Sequence, residues 1–416
     1  MANSVTEWLC ETAKAHTPAN GPGFGRRLVR EMTAAKKFSP DRLHLTELAA
    51  GCFGPAWESR LRQVSARHGW VAESTEAVDL TAWRDIVGAV ATEAIEVGYQ
   101  QAVSPVEQLC DDWMSQDDDP VNELLVPYPT VATDVSKDVA PSMEYPKTAF
   151  NHYSVVAPVP VKHGLIAQLT LEVVKANRRK QFLDALGEVG RVVGLEQVRR
   201  KLRLVLAITN NYTTVTPAGV RTTRNTFVTT AGAANLVTDL NLANGAAEID
   251  RLERKFADMR HPLTNEPIDV VPTGMFTTRG NRYALAKAAT VSEIRETSGA
   301  VQSISPNPVN FAGPILSDVR AQRLLESEAG IEGSALTAGE AATVTVLGDF
   351  KRAFKWRKVE DMTTFEAGPG DTNESADGAK WPPAFFQDVV YACKARWWGC
   401  PFVYDPYAVV FAYTAV

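Results

Sequence analysis

The strongest local signal in the chain runs from Arg178 to about Ile208. Apolar side chains recur there at Phe182, Leu186, Val189, Val193, Val198, Leu202 and Val205. The spacing is mostly three and four residues, which predicts one long helix packed along a single face. Thr170 and Asn177 are candidate caps ahead of it. Gly187, Gly190 and Gly194 each weaken a helix interior by up to about 1 kcal/mol relative to alanine, or else permit a close crossing by another element. A chain organised round such a helix needs a second surface to cover that face.

The flanking segments differ in kind. Before the helix, Leu125 to Val161 carries prolines at 127, 129, 141, 146, 158 and 160. Short β-prone pieces such as Tyr153 to Ala157 survive between them, but proline cannot occupy a central ladder position. An extended excursion with hairpin character is expected, closing in a short apolar strand over Gly164 to Thr170. The first hundred residues read as mostly helical. A short amphipathic stretch opens at Gly25, apolar positions from Leu45 to Val64 surround Phe53 and Trp57, and a longer helix starts near Asp79 or Thr81 and runs through Ile86, Val90, Ile95 and Tyr99. After the long helix the pattern is mixed. It holds a threonine-rich β-prone piece over Thr213 to Thr230, a helix over Ala247 to Met259 and a turn over Arg260 to Pro267. A strand-like Ile268 to Val271 and a helix over Thr290 to Thr297 follow. A β-rich return begins at Ala342 to Leu347, includes Phe385 to Tyr391 and Ala408 to Ala412, and is interrupted by a polar loop at 367 to 379.

At 416 residues the chain is expected to form two or three packed regions. Forty-three basic against forty-nine acidic residues give a net charge of -6, which weighs against tight wrapping of nucleic acid. No run of about eighteen apolar residues is present, so no membrane-spanning helix is expected. Met1 to His16 lacks a basic region followed by an apolar core, so no signal peptide is expected. Cys10, Cys52, Cys110, Cys393 and Cys400 are scattered and odd in number, and read as reduced thiols of a cytosolic protein.

Each candidate for chemistry has a plainer reading beside it. Glu107, Asp111, Asp112, Asp117, Asp118 and Asp119 invite a divalent cation, yet the consecutive Asp117 to Asp119 lack the alternation and turn glycine of a calcium loop, and a solvated or subunit-facing surface fits better. Gly21, Gly23 and Gly25 imitate part of a phosphate loop without the preceding strand, and read as a turn. His16, His44, His68, His152, His163 and His261 fall into no metal-ligand spacing. Nucleophile-elbow and phosphate-loop motifs are absent, so no catalytic, cofactor-binding or metal residue is assigned. The cations Arg178, Arg179, Lys180, Arg191, Arg199, Arg200, Lys201 and Arg203 suit nucleic acid or, more simply, charge pairing within or between subunits. Lys147 or Lys162 would need a desolvated amine and a nearby carboxylate to form an isopeptide bond, and both read as surface or interface charges.

The order of these elements resembles the major capsid protein of tailed bacteriophages with the HK97 fold. Val135 to Val156, with Met143-Glu144-Tyr145-Pro146 and Phe150, looks like that family's extended loop, which overlaps the adjacent subunit. Gly164 to Val174 looks like the entry to its spine helix. Asn265-Glu266-Pro267-Ile268 with Pro272 looks like a strand entry of its axial domain. Gly348-Asp349-Phe350, Ala353-Phe354, Phe386-Asp388-Val389, Arg396 to Gly399 and Asp405 to Ala408 look like its C-terminal strands. The likeness covers about residues 79 to 416.

The resemblance implies an α+β capsid fold in six parts. Residues 1–78 would be an N-terminal helical arm or addition, 79–134 the arm entering the fold, and 135–170 the extended loop. Residues 171–215 would be the peripheral domain with its spine helix, 216–339 the axial domain, and 340–416 the C-terminal return of the peripheral domain. It further implies a structural protein, not an enzyme, without cofactor, that assembles into an icosahedral head enclosing double-stranded DNA. The implied partners are copies of itself as hexamers and pentamers, scaffold, portal and decoration proteins, and DNA contacted weakly and without sequence specificity, with no membrane. The implied location is the virion, after assembly in the host bacterial cytoplasm. An encapsulin-like compartment shell, which shares the fold, is the alternative.

Overall fold

The structure, a computed structural model, describes residues 8–9, 12–13, 24–35, 44–66, 74–113, 121–127, 154–216, 218–230, 234–260, 270–290, 293–298, 301–306, 311, 313–331, 333–367 and 389–415. Helices α1 (Phe24–Ala34), α2 (Leu45–Phe53), α3 (Trp57–Ala66) and α4 (Ser74–Val103) precede a 3-10 turn over Ser104–Leu109. Strands β1 (Asp111–Trp113), β2 (Leu124–Pro127), β3 (Ser154–Ala157) and β4 (Val161–Thr170) lead to the short α5 (Leu171–Lys175) and the long α6 (Arg179–Val205). Then come β5 (Asn211–Val215), β6 (Arg221–Asn225), β7 (Leu236–Val237), α7 (Ala246–Asp258), β8 (Gly274–Thr278), α8 (Arg282–Thr290), β9 (Glu293–Ser298) and β10 (Val301–Pro306). The remaining elements are β11 (Ile315–Asp318), α9 (Val319–Ser327), α10 (Ala338–Thr343), β12 (Thr345–Gly348), α11 (Phe350–Ala353), β13 (Phe354–Ala367), β14 (Val389–Val403) and β15 (Val409–Ala412). The strands form open sheets in the orders β1-β13-β14-β4, β11-β8-β12-β15-β7 and β2-β3-β5-β6, with β9 and β10 paired as a ribbon. The architecture is α+β with open sheets.

The chain divides into two compact units. The first comprises residues 1–103, 162–196 and 360–398. Its core draws on Trp83, Ile86, Val87, Val90 and Ile95 of α4 and on Phe182, Leu186, Val189 and Val193 of α6. The two helices approach through glycine. A methyl group on Gly98 would fall on the Gly187 carbonyl, and one on Gly190 would fall on the Ile95 carbonyl. The close-crossing reading of these glycines therefore holds, although Gly187 itself has room for a side chain. Helix α4 starts at Ser74, so Asp79 and Thr81 lie inside it and do not cap it. Gly54, at φ 77°, separates α2 from α3. Asn177 takes a left-handed φ of 45° between α5 and α6, a conformation asparagine tolerates. Its Oδ1 accepts the Leu45 N–H at 3.1 Å, so its side chain fastens the start of α2 while α6 begins beyond it.

The second unit comprises residues 104–161, 197–359 and 399–416. The three central strands of its five-stranded sheet are buried along their length, and Phe276, Val346 and Phe411 lie opposite one another across β8, β12 and β15. β8 and β11 run parallel, whereas β12 is antiparallel to both its neighbours, β8 and β15. Three sequence expectations shift here. The helix expected over Thr290 to Thr297 lies earlier, at Arg282–Thr290, and Glu293–Ser298 is a strand whose register partner is Val301–Pro306. Val270 and Val271 lie outside any strand, and the strand starts at Gly274. Ala342 and Thr343 close α10, which is held by a Thr337–Glu340 capping box, before β12 starts at Thr345.

Candidate functional site

In the second unit, β2 and β3 pair antiparallel with Pro127 opposite Ser154. Pro127 and Ser154, which flank residues 128–153 in sequence, therefore lie side by side at the mouth of this hairpin. Most of the expected extended loop, Val135 to Val156, and Lys147 with it, lies outside the described residues; only its last residues, in β3, are placed. The stem has a small core of Val126, Val155, Ala157 and Phe402, with Trp113, Leu124 and Tyr404 packed against it. Trp113 meets Phe402 edge-on at 6.0 Å.

Polar contacts converge on the base of this stem. Arg357 of β13 is 0% exposed. Its Nη1 donates to the carbonyls of Pro158 at 2.8 Å, Asn122 at 3.0 Å and Ala157 at 3.5 Å. The Cys400 thiol donates to the same Pro158 carbonyl at 3.2 Å, and the Tyr404 hydroxyl donates to Pro127 at 3.1 Å. Arg221 pairs with Glu123 at 2.7 Å. Along β13 the neighbours are cationic too. Lys355 reaches Asp111 at 2.7 Å and Lys358 reaches Asp112 at 3.1 Å. Two of the acidic-stretch carboxylates thus answer lysines of the strand paired with their own; Asp117 to Asp119 lie outside the described residues. Lys201, buried on α6, sits 5.2 Å from the Trp356 ring. Burial pushes the Cys110 thiol up to about 12, against a smaller opposing pull from Lys201. Burial, with Tyr407 beside it, raises the Tyr212 phenol above its usual range.

In the first unit, β4 carries a row of cation and ring contacts. Lys162 stands 4.4 Å over the Trp398 ring. His163 stacks on buried Trp397 at 5.1 Å, with its Nε2 3.9 Å from Glu196. Trp397 Nε1 donates to the Val193 carbonyl of α6 at 2.9 Å. Arg396 pairs with Glu360 at 2.8 Å and lies 4.3 Å over Phe365. β4 closes one end of its sheet, and Leu165 and Ile166 on it are 42% and 52% exposed.

The remaining candidates disperse. The cations of α6 are drawn into pairs: Arg191 with Glu188, and Arg199 and Arg203 both with Glu328. His44 lines a shallow depression of about 570 Å³ with Asn177, Arg178, Lys180, Gln181 and Asp184. His16, His68, His152 and His261 lie outside the described residues, as do Asn265 to Ile268, Phe386 and Asp388. So do Gly21 and Gly23, while Gly25 belongs to the first turn of α1 and not to a loop. Cys52, Cys110, Cys393 and Cys400 are free and buried. Among the described residues, no group of three or more His, Cys, Asp or Glu is placed to hold a metal ion, and no helix is long and apolar enough to cross a membrane. Sequence reasoning missed Arg357, because an arginine between Trp356 and Lys358 reads as one more charge on a strand.

No family model matches the chain, and no curated protein matches it. Solved structures do. A virus-like particle from Pyrococcus furiosus aligns at 11% identity over 77% of this chain and 97% of its own, with a TM-score of 0.40. The capsid of the Cyanophage P-SCSP1u aligns at 11% identity over 74% and 87%, with a TM-score of 0.43. An encapsulin complex from Synechococcus elongatus aligns at 10% identity over 75% and 87%, with a TM-score of 0.39.

Proposed function

We propose that this chain is a structural major capsid protein that assembles into an icosahedral head enclosing double-stranded DNA. The observation that carries the reading is the β9–β10 ribbon, a two-stranded sheet paired with no other described strand. An isolated hairpin is marginal in water at best. The terminal strand β4, with Leu165 and Ile166 outward, adds a second surface of the same kind. Heterologous contacts between copies cover such features, and they close into rings and shells when the rotation permits. On this reading residues 216–339 meet at five- and six-fold positions and residues 135–170 overlap a neighbour. The long α6 and the C-terminal strands form the wall, and scaffold, portal and decoration proteins complete the head. The capsid's work is container strength, so no turnover is required.

Size-exclusion chromatography with light scattering, followed by electron microscopy of the largest species, tests this. Closed shells or five- and six-membered rings are expected. Double-stranded DNA inside shells from infected cells supports the head, and enclosed protein cargo points to a compartment shell instead. A monomer or dimer at every concentration and salt, with candidate scaffold added, overturns the reading.

A further inference from the structure

We propose that Arg357 is a positioning residue that staples the two sides of the β2–β3 stem and so fixes where Pro127 and Ser154, at the mouth of the stem, are held. Three observations lead there. First, Nη1 spans the hairpin base, since Asn122 lies just before β2 whereas Ala157 and Pro158 lie at the exit of β3. Second, the β2–β3 pairing ends at Leu124 opposite Ala157, so the carbonyls of Asn122 and Pro158 lie beyond the ladder and are met by Arg357 instead. Third, a cation removed wholly from water is costly unless it is hydrogen-bonded, and an apolar side chain would fill the same space at less cost while leaving the carbonyls short.

The neighbouring contacts share the task unequally. Tyr404 holds Pro127 at the mouth and Glu123 is held by Arg221 at the surface, so each touches one side of the stem. Arg357 Nη1, in contrast, reaches both. Lysine is no equivalent, because its ammonium sits on a shorter stem and falls short of the position that Nη1 occupies. The role in assembly rests on the shell reading above; the role in holding the stem does not.

Hydrogen exchange on the unassembled full-length chain separates the two. In the wild type, peptides covering 122–127 and 154–158 should open together, at rates within about twofold of each other. In Arg357→Lys they should exchange at least about tenfold faster, with peptides from β8, β12 and β15 within about twofold of wild type. Tyr404→Phe should loosen 124–127 by a smaller factor and leave 154–158 unchanged. Shell yield should fall in Arg357→Lys although its thermal transition persists. Wild-type stem sides that open independently, exchange that stays unchanged in Arg357→Lys, or a variant that loosens every sheet or does not fold would each overturn the proposal, the last by showing a plain core residue. If the wild type forms no shells, the shell reading fails while the exchange contrast still decides the role of Arg357.

Discussion

Three single residues give contrasts that simple substitution tables would miss. Gly190→Ala gains about 1 kcal/mol of helix propensity, yet its methyl group would fall on the Ile95 carbonyl, where only backbone can yield. Overpacking costs about 1–3 kcal/mol, so the urea midpoint should drop. At Gly187 the nearest atom is 3.8 Å away, so Gly187→Ala should hold or raise the midpoint. Cys110 sets a pH dependence. Its thiol is pushed from the usual 9.0 to about 12 by burial, so the unfolded chain loses this proton first as pH rises. The stability of the neutral buried thiol is intact below about pH 9 and declines between 9 and 12, by up to about 1.4 kcal/mol per pH unit. Tyr212, raised by burial, acts in the same direction at higher pH. Urea midpoints measured from pH 8 to 11 should fall, and Cys110→Ala should flatten the slope. Thiol-alkylating reagents at pH 8 should leave Cys110 unmodified until the chain unfolds.

At the scale of elements, α6 was readable because its buried residues repeat with the helical period, and Phe182, Leu186, Val189, Val193, Val198, Leu202 and Val205 are all buried. Its cap was less readable, since Asn177 spends its side chain on Leu45, 132 residues away in sequence. Glu293–Ser298 misled because a short charged segment fits a helix locally, and only pairing with Val301–Pro306 makes it a strand. Arg357 was invisible for a related reason: its acceptors lie 199 to 235 residues away, and burial of a charge leaves no periodic trace. Two substitutions test element-level contacts. Thr337→Ala removes the oxygen that accepts the Glu340 N–H at 3.3 Å in the capping box and should cost about 1 kcal/mol in denaturant unfolding. Trp397→Phe keeps an aromatic ring under His163 but loses the 2.9 Å bond to Val193. A loss of about 1 kcal/mol is expected by the same measurement.

At the scale of the whole molecule, covering the β9–β10 ribbon by neighbours should link stability to assembly. The thermal midpoint of assembled material should exceed that of the dissociated chain and fall on dilution, and amides of 293–306 should gain protection from exchange only on assembly. The order of strands in the central sheet has a consequence for synthesis. β15 separates β7 from β12, and Asn235 reaches the Pro406 carbonyl at 2.9 Å across 171 residues. At translation rates of about 5–20 residues per second, β7 waits on the order of 10–30 s for its only neighbour in that sheet. The nascent chain therefore holds an incomplete sheet until residues 409–412 have been made and β15 can pair with β7.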